Sequence, residues 1–255
     1  MRKTLSVALI TRNEEGNLER TLGTVAWADE IVIVDSGSND RTEEIARSFH
    51  ARFFDEPWKG FAAQKNSALE KCSCDWVLSL DADEALSDEL AKAIWEVLHD
   101  DSAADGYAIS RRNLFLGRWI RHGGFYPDPK LRLFRRGSAE FEIRPVHEKV
   151  HFMGKAGRLK GDLLHYAYPT MNTYIEHMDR YSTLGGAMAA GNGKGGGGPA
   201  RFVARVLINP LATFCYNYIF RLGFLDGREG LLLHMYHSVY ISWKYAKAWE
   251  LAQTR

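Results

Sequence analysis

Cysteine, long apolar runs and targeting signals are scarce or missing in this sequence, and each absence removes a class of protein. The 255 residues include three cysteines, an odd number that gives no disulfide framework, and the Cys72-x-Cys74 pair alone makes a poor zinc site. This cysteine usage favours a reducing compartment such as the cytoplasm. No run of about 18 uncharged apolar residues occurs, so no segment is expected to span a bilayer. A strand-like run without a cleavage-site pattern follows Met1-Arg2-Lys3, so we expect no signal peptide.

Two glycine-rich nucleotide-binding motifs are missing from the positions where they would indicate function. The first loop, TRNEEG, lacks the Gly-x-Gly-x-x-Gly pattern, which argues against a nicotinamide-dependent dehydrogenase. The glycine-rich stretch 185–199 is neither preceded by a strand nor followed by Lys-Ser or Lys-Thr, which argues against a phosphate-binding loop. We therefore interpret residues 185–199 as a mobile segment.

The formal net charge of +1 conceals a strong asymmetry along the chain. Residues 1–110 carry 11 Lys or Arg against 22 Asp or Glu, whereas residues 111–160 carry 13 against 4. An acidic first part and a basic middle part suit a site that binds a metal ion on one wall and phosphate on the other.

The first 110 residues alternate between strand-like and helix-like segments. The strand-like runs are short, apolar and rich in branched residues: Thr4–Ile10, Glu30–Asp35 and Asp75–Leu80. The predicted helices cover roughly Glu15–Val25, Thr42–His50, Phe61–Cys72 and Ser87–His99, the last with Ser87 as its N-cap. This alternation predicts an α/β fold with a mostly parallel central sheet flanked by helices, in which ligands bind beyond the carboxyl ends of the strands.

The sharpest chemical signal is the Asp81-x-Asp83 pair in SLDADE, directly after an apolar strand. Backbone geometry at a strand end projects both carboxylates from a single turn. Two carboxylates with open positions form a hard-oxygen site for Mg²⁺ or Mn²⁺, completed by phosphate oxygens and water. Asp-x-Asp triplets are common in loops, so the motif alone is a weak indication of a metal site. Its position directly after the strand DWVLSL makes the indication stronger.

Two further polar loops are expected at the same edge of the sheet. Asp35 closes the second strand in VDSGSNDRT and could accept a hydrogen bond from a base or ribose. Thr11, Asn13 and Glu14 lie in the loop after the first strand and are candidate donor-binding residues. The alternative for Asp35 is a solvated acid that caps a strand end.

Taken together, ALITRNEE, IVIVDSGSNDRT and WVLSLDADE, in this order and spacing, resemble glycosyltransferase family 2, the inverting enzymes of the GT-A fold. The resemblance implies that Asp35 contacts the uracil or ribose of a nucleotide-sugar donor, that Asp81 approaches the ribose or the metal, and that Asp83 ligates the metal. It also implies that Lys65 and Asn66, in GFAAQKNSAL, lie near the nucleotide.

The remainder of the chain narrows this resemblance. The stretches GGFYPDPKLRLFRRG, RPVHEKV, GRLKGDLLHYAY, IEHMDRYS and FRLGFLDGREG resemble bacterial lipopolysaccharide-core glycosyltransferases, in particular inner-core β-glucosyltransferases. This implies a nucleotide-diphosphate sugar as donor, UDP-glucose first, a lipopolysaccharide-core or other lipid-linked glycan as acceptor, and no nucleic acid. It also implies a nucleotide-sugar-binding half (1–110), an acceptor-binding half of the same domain (111–168) and a C-terminal helical region (169–255).

Transfer to a hydroxyl requires a general base, and RPVHEKV offers two candidates. We prefer Glu148 to His147, because strand alternation sends the two side chains to opposite faces and the resemblance favours the acid. Asp128 in FYPDPK is the next candidate. The alternative for Glu148 is a surface carboxylate paired with Lys149 or Arg144.

One histidine and three arginines are further candidates for the site. His165, in LLHYAY, is a candidate third metal ligand, since neutral imidazole is a reasonable ligand for Mn²⁺, although a lone histidine is more often packed or capping. Arg132, Arg135 and Arg136 are candidates for a phosphate clamp on the donor or the acceptor, and the alternative is a solvated strand face.

The C-terminal region is apolar, aromatic and basic. Ala200–Leu225 and Leu231–Ala252 fit helices that lie in a membrane interface, which predicts a peripheral protein on the cytoplasmic face of a membrane. A helical cap on the catalytic core and a dimer contact are the alternatives. The residues expected on the lipid-facing stripe are Phe202, Val206, Leu207, Phe214 and Tyr218.

Two rival functions use the same features. A nucleotidyltransferase needs similar carboxylates and metal but releases pyrophosphate, whereas a glycosyltransferase releases a nucleoside diphosphate. A non-catalytic sugar-nucleotide-binding module needs no base. The presence of Asp81, Asp83, Glu148 and His165 together argues against such a module.

Overall fold

The computed structural model of the chain describes residues 2–142 and 150–253. The chain divides into two compact units, Met1–Arg111 with Asp128–Tyr166, and Arg112–Pro127 with Ala167–Arg255. This grouping differs from the predicted boundaries near residues 110 and 168, because residues 128–166 pack with the first 111 residues and residues 112–127 pack with the C-terminal helices. Each unit is described in turn.

The described strands run from β1 to β11 in chain order. They are β1 (Leu5–Thr11), β2 (Glu30–Asp35), β3 (Arg52–Asp55), β4 (Trp76–Asp81), β5 (Glu84–Leu86), β6 (Gly106–Phe115), β7 (Arg118–Trp119), β8 (Asp128–Arg135), β9 (Ala139–Phe141), β10 (Val150–Phe152) and β11 (Ala156–Tyr168). The first unit also holds the helices α1 (Leu18–Val25), α2 (Thr42–Ser48), α3 (Phe61–Glu70) and α4 (Asp88–His99).

The main sheet has the strand order β3-β2-β1-β4-β8-β6-β11-β5, with β7 paired to β6, and a separate two-stranded sheet pairs β9 with β10. The pairs β1–β2, β1–β4 and β2–β3 are parallel, whereas β4–β8, β6–β8 and β5–β11 are antiparallel. The predicted α/β class is therefore confirmed, with a parallel amino-terminal half of the sheet and antiparallel strands added beside β4.

The parallel strands are apolar on both faces because both faces are covered, as their continuous apolar runs predict. One core cluster holds Leu5, Val7 and Leu9 of β1 together with residues of α1 and α4. The opposite cluster holds the alternate residues Ala8 and Val32 with residues of α3. Because alternate side chains of a strand point to opposite faces of the sheet, β1 contributes side chains to both core clusters.

The predicted helix at Glu15 begins at Leu18, three residues later. The reason is tertiary: the backbone N–H groups of Glu14 and Glu15 donate to Thr42 Oγ1 (2.8 Å) and to Asp40 Oδ2 (3.1 Å). These bonds hold residues 12–17 as a loop. The N-cap of α4 is as predicted, since Ser87 Oγ accepts from the backbone N–H of Leu90 at 3.2 Å.

The second unit is mainly helical and comprises α5 (Met171–Gly191), α6 (Pro199–Val203), α7 (Asn209–Cys215) and α8 (Gly227–Gln253). Its buried side chains are Phe115, Ile120, Tyr174, Met178 and Leu233. Part of the glycine-rich stretch predicted to be mobile is helical, since α5 continues to Gly191. The packing there is close, because a Cβ at Gly186 would lie 3.1 Å from the carbonyl oxygen of Lys244 on α8.

Wide π-type turns at Ala204–Ile208 and Tyr216–Phe220 connect α6, α7 and a short 3₁₀ segment at Gly223–Asp226. Side chains on this stretch form an apolar ridge, each between 46% and 75% exposed: Val203, Leu207, Ile208, Leu211, Ile219 and Phe220. Within the described parts of the chain, no helix combines the length and the apolarity needed to cross a membrane.

The apolar ridge differs from the predicted lipid-facing stripe. Leu207 is on the ridge, but Val206, Phe214 and Tyr218 are only partly exposed, and Phe214 stacks on Tyr218 at a ring-centroid distance of 5.2 Å. Phe202 packs against Trp249. The π-type turns contain more residues per turn than an α-helix, so they shift the phase on which the predicted stripe depended.

Candidate active site

The Asp81–Glu84 turn leaves the carboxyl end of β4 and is fixed from several sides. Glu84 is fully buried, and its Oε2 accepts from the backbone N–H of Asp81 at 3.0 Å. Thr21 Oγ1 on α1 donates to the carbonyl oxygen of Ala82 at 2.7 Å. The turn that carries the predicted acidic pair is therefore held in one conformation before any ligand binds.

Two cations hold the Asp81 carboxylate. Lys65 Nζ lies 2.8 Å from Asp81 Oδ1, and Arg132 Nη2 lies 2.5 Å from Asp81 Oδ2 and 2.7 Å from Glu84 Oε1. Burial alone would raise the pKa of Asp81, but the charges of Arg132 and Lys65 outweigh it and hold that pKa well below its usual range. Asp81 is therefore ionised and already paired at neutral pH.

This pairing changes the interpretation of Arg132. The sequence suggested a phosphate clamp, but the Arg132 side chain is buried and its Nη2 bridges two carboxylates. A guanidinium in that position neutralises the charge of Glu84 and orients Asp81. We therefore place Arg132 beneath the site as a positioning residue.

Arg135 does not join this cluster. It lies opposite Trp76 at the start of β4, and its guanidinium stacks over the Trp76 ring at 4.9 Å. Asp81 is at the other end of that strand, about 16 Å away at the usual rise per residue. Strand β8 therefore carries Arg135 to the opposite edge of the sheet from Asp81, and its role in donor binding stays a prediction.

Asp83 is brought together with His165. Strand β11 runs antiparallel to β5 with His165 opposite Glu84, and the backbone N–H of Tyr166 donates to the carbonyl oxygen of Asp83 at 2.9 Å. This register sets His165 Nε2 3.1 Å from Asp83 Oδ2. Burial raises the pKa of Asp83, but the neighbouring His165 more than offsets it, and the net shift of that pKa is downward.

The Asp83–His165 pair fits a divalent cation. Two neighbouring ligand atoms of an octahedral ion with bonds of about 2.1 Å are separated by about 3 Å, close to the observed spacing. No group of three or more His, Cys, Asp or Glu residues that could hold a metal occurs among residues 2–142 and 150–253. A cation here would therefore need phosphate oxygens and water to complete its coordination.

The loops after β1 and β2 meet at the same edge. Asp35 is 2% exposed, and its carboxylate accepts from Thr11 Oγ1 (2.7 Å), the backbone N–H of Ser38 (2.7 Å) and Ser38 Oγ (2.6 Å). Asn13 Oδ1 accepts from the backbone N–H of Asn39 at 2.9 Å. The predicted residues Thr11, Asn13 and Asp35 are thus brought together, and Asp35 also ties the two loops to each other.

Glu14 adds a carboxyl group with raised proton affinity. Burial raises its pKa most, and the nearby charges of Asp83, Asp40 and Asp81 raise it further, against a lowering hydrogen bond from Asn17. The concentration of acids at this edge therefore extends beyond the Asp81–Asp83 pair. A bound cation would relieve the repulsion among them.

Asn66 is bound to a neighbouring strand, and its place near the nucleotide stays a prediction. Its side-chain amide donates to the carbonyl oxygen of Phe141 at 2.9 Å and accepts from the backbone N–H of Phe141 at 2.8 Å. Both polar atoms of the amide therefore bind strand β9, the last element before residue 143. Lys65, one residue earlier, is the member of this pair that reaches the acidic cluster.

The preferred base, Glu148, lies outside the described residues, as do His147, Arg144 and Lys149. Asp128, the next candidate, is held by Arg111 Nη2 at 2.8 Å and Lys130 Nζ at 2.9 Å. Burial raises the pKa of Asp128, but the Arg111 charge and the Lys130 contact outweigh it, and the net shift is downward. A carboxylate with lowered proton affinity is a weak base, which disfavours Asp128.

Sequence reasoning missed Glu84 and Arg111. Arg111 Nη1 lies 3.7 Å from Glu84 Oε1, so one chain of alternating charges links Asp128 to Lys65 through Arg111, Glu84, Arg132 and Asp81. Glu84 is part of the SLDADE motif, but nothing in its spacing distinguishes a buried anchor from a ligand. No sequence signal identifies Arg111 among its basic neighbours.

Comparison with known proteins places these features in a family. The family model described as Glycosyl transferase family 2 matches residues 6–172. The lipopolysaccharide core biosynthesis glycosyltransferase LpsC of Rhizobium meliloti (strain 1021) is 34% identical over 230 residues, which cover 88% of this chain and 82% of that protein. An uncharacterized glycosyltransferase of Rickettsia felis is 41% identical over 196 residues, covering 70% and 68%.

Solved structures confirm the GT-A fold. The mannosyltransferase PcManGT of Pyrobaculum calidifontis, in complex with GDP-Man and Mn²⁺, superposes with a TM-score of 0.57 at 16% identity, covering 97% of this chain and 87% of that one. S. aureus TarS 1–349 in complex with UDP-GlcNAc gives 0.51 at 14% identity, covering 98% and 90%. At such low identity these likenesses establish the fold alone.

Proposed function

The chain belongs to glycosyl transferase family 2, and on that premise we propose that it transfers a hexose, glucose first, from a UDP-sugar to a sugar hydroxyl of a lipopolysaccharide core, with inversion at the anomeric carbon. The identity to a lipopolysaccharide core glycosyltransferase over most of both chains supports the acceptor class. The observation that carries the proposal is the meeting of Asp83, His165 and the paired Asp81 at the carboxyl edge of the sheet.

We propose that Asp83 and His165 hold a divalent cation, Mg²⁺ or Mn²⁺. The donor set supports this, since it combines a carboxylate oxygen and an imidazole nitrogen at ligand spacing. The Pyrobaculum mannosyltransferase was crystallised with Mn²⁺. When bound, such an ion neutralises the charge that develops on the departing diphosphate.

Side chains of the protein bind the donor, accept the proton and position the acidic cluster. The Asp35 loop and the Thr11–Glu14 loop bind the nucleoside, and Asp81 approaches the ribose with Lys65 beside it. Glu148 accepts the proton of the attacking acceptor hydroxyl. Arg132 and Glu84 act through Asp81, because their buried pairing holds its carboxylate in one orientation.

The experiment is a donor screen with purified protein, Mn²⁺ and a panel of nucleotide sugars, in which the released nucleotide is identified. UDP release that depends on the metal and increases with a lipopolysaccharide-core acceptor is expected. Pyrophosphate release would instead identify a nucleotidyltransferase. Calorimetric binding of the UDP-sugar without any turnover would identify a binding module.

We further propose that the protein works on the cytoplasmic face of a membrane and is held there by the apolar ridge. A lipid-linked acceptor requires access to such a surface, and the ridge side chains supply apolar area. Arg201 and Arg221 are exposed on the same stretch, and each cation near an anionic surface contributes about 1 kcal/mol. Attachment of this kind is reversible and sensitive to salt.

A further inference from the structure

Two aromatic side chains stand in solvent in the segment that follows β3. Trp58 and Phe61 are 45% and 43% exposed, and their rings meet edge to face at a centroid distance of 4.8 Å. A single exposed aromatic residue is ordinary, but two exposed rings in contact form a small apolar patch. An aromatic ring in such a patch can offer its face to a ligand.

The segment lies at the carboxyl edge of the sheet, beside Asp35. In the β2–β3 register Asp55 is opposite Asp35, and the backbone N–H of Glu56 donates to the carbonyl oxygen of Asp35 at 2.9 Å. Trp58 is three residues beyond Asp55, so its Cα is at most about 11 Å from that of Asp55. The aromatic pair is therefore a neighbour of the loops that we assign to the nucleoside.

The backbone around Trp58 is anchored on both sides. The Glu56 carboxylate contacts Lys59 Nζ (2.8 Å), Ser67 Oγ (2.6 Å) and Lys71 Nζ (2.6 Å), and these bonds lower the pKa of Glu56 to about 2. The backbone N–H of Lys59 donates to Oε1 of the buried Gln64 at 3.3 Å. Anchoring of this kind presents an aromatic ring without a large ordering cost on binding.

The other loops at this edge lack a flat surface. Residues 11–17, 36–41 and 81–84 contain no aromatic side chain, so they offer polar atoms to the edge of a base and nothing to its faces. A nucleobase needs both kinds of contact, because its polar edge forms hydrogen bonds and its faces are apolar. The segment after β3 supplies aromatic rings that can stack on the faces of a base.

We propose that Trp58, supported by Phe61, stacks on the nucleobase of the donor nucleotide. The inference rests on the proposed function, since it takes a nucleoside diphosphate as the ligand of this edge. It adds a stacking surface to the polar contacts of the Asp35 loop. Since every base has an aromatic face, the platform sets affinity, whereas the polar loops select the base.

The test measures binding of UDP and of pyrophosphate, each with Mn²⁺, by calorimetry. The variants are Trp58→Ala, Trp58→Phe and the control Trp95→Ala. Trp95 is a matched control because it is 46% exposed but lies on α4 under the guanidinium of Arg2, a residue that precedes β1 at the opposite edge. Circular dichroism and thermal unfolding check that every variant is folded.

We expect Trp58→Ala to weaken UDP binding on the order of tenfold, the usual scale of one base–aromatic stack. Trp58→Phe should retain most of the affinity, and Trp95→Ala all of it. Pyrophosphate, which has no base, should bind all four proteins equally. UDP should also quench tryptophan emission in the parent protein, and the quenching should be lost in Trp58→Phe although that variant still binds.

Three outcomes would overturn the inference. Unchanged UDP affinity in Trp58→Ala, with or without a raised KM for the acceptor, would show that the platform does not serve the base. Equal losses for UDP and pyrophosphate would show a structural role. If the parent protein binds neither UDP nor any other nucleoside diphosphate, the proposed function fails together with the inference, and that result is distinct from the first two.

Discussion

The two units stabilise their carboxylates with different hydrogen-bond donors. In the first unit, Asp81 is held by the side-chain cations Lys65 and Arg132. In the second unit, Asp226 is more deeply buried, and it accepts from the backbone N–H groups of Arg121 and His122 and contacts His122 Nδ1 at 3.0 Å. Backbone donors cannot move away, so Asp226 is a structural tie between two loops.

The two units also differ in their exposed apolar side chains. The first unit exposes one contacting aromatic pair, Trp58 and Phe61, whereas the second exposes the apolar ridge between Val203 and Phe220. Under the proposals above, the first unit recognises a small anion and the second contacts an extended apolar surface. Variants in one unit should therefore leave the function of the other unchanged.

The largest expected effect is the loss of metal-dependent UDP binding in Asp83→Ala. Without this carboxylate the proposed site retains one ligand, His165, and the phosphates meet the acidic edge of the sheet without a cation between them. Calorimetry with and without Mn²⁺ measures the effect, and vesicle binding of the same variant should be normal. Equal, metal-independent binding in the variant would contradict the assignment of the site.

The next effect is on stability. Arg132→Met leaves the fully buried Glu84 without its nearest cation, and loss of one partner of a buried pair costs about 3–5 kcal/mol of unfolding free energy. Arg135→Met, on the same strand, removes a half-exposed pair and should cost less than about 1 kcal/mol. Urea unfolding compares them, and equal costs would show that Arg132 does not anchor the site.

Glu148→Gln should lower turnover by roughly a hundredfold while UDP affinity is retained, because glutamine keeps the size of the side chain and loses its basicity. The matched variant is Asp128→Asn, which should have a smaller effect, since Arg111 and Lys130 already occupy that carboxylate. Steady-state kinetics with saturating donor separate the two. Near-normal turnover in Glu148→Gln would transfer the role to another residue.

A smaller effect is expected at the apolar ridge. Replacing Leu207, Leu211 and Phe220 together by serine should reduce flotation with anionic vesicles by about tenfold or more, since three large apolar side chains are lost from the contact. UDP binding should be unchanged. Met153→Ser with Trp95→Ser, two exposed apolar residues of the first unit, is the control. Equal flotation of all three proteins would make the ridge a protein contact.

The smallest effect concerns Glu56, whose folded pKa of about 2 lies below the ordinary value of 4.5. A lowered carboxyl pKa adds stability that is fully present above about pH 4.5 and is lost as the pH falls toward 2. Glu56→Gln should therefore cost about 1 kcal/mol at pH 7, a modest figure because solvent reaches the ion pairs. The difference from the parent protein should vanish near pH 2. A constant difference across this range would contradict the assigned pairing.

Much of the first unit could be predicted from residue patterns. The runs Thr4–Ile10, Glu30–Asp35 and Asp75–Leu80 correspond within one residue to β1, β2 and β4, because strands that are buried on both faces must be apolar throughout. The Ser87 N-cap was predictable for the same kind of reason, since its bond is local. The meeting of Thr11 with Asp35 followed from the common edge of parallel strands.

The side-chain partners could not be predicted. Basic and apolar residues alternate along the strand of Arg132, a pattern that suggested an exposed phosphate clamp. The β4–β8 pairing shows instead that Arg132 contacts Glu84 and that Arg135 packs on Trp76. The apolar ridge differs from the predicted stripe for a related reason. An α-helical period places Val206 and Phe214 on the stripe, but the π-type turns shift that phase.

Local residue patterns are enough to predict the α/β class, the parallel core strands and the acidic edge, because each depends on which side chains a local segment must bury or expose. The pairing of charges depends on the assembled fold. Asp83 meets His165 across 82 residues, and Arg132 meets Glu84 across 48, through strand registers that no local pattern encodes. Burial requires apolar residues and is therefore visible in a local pattern, whereas a pairing between distant strands depends on how the whole sheet assembles.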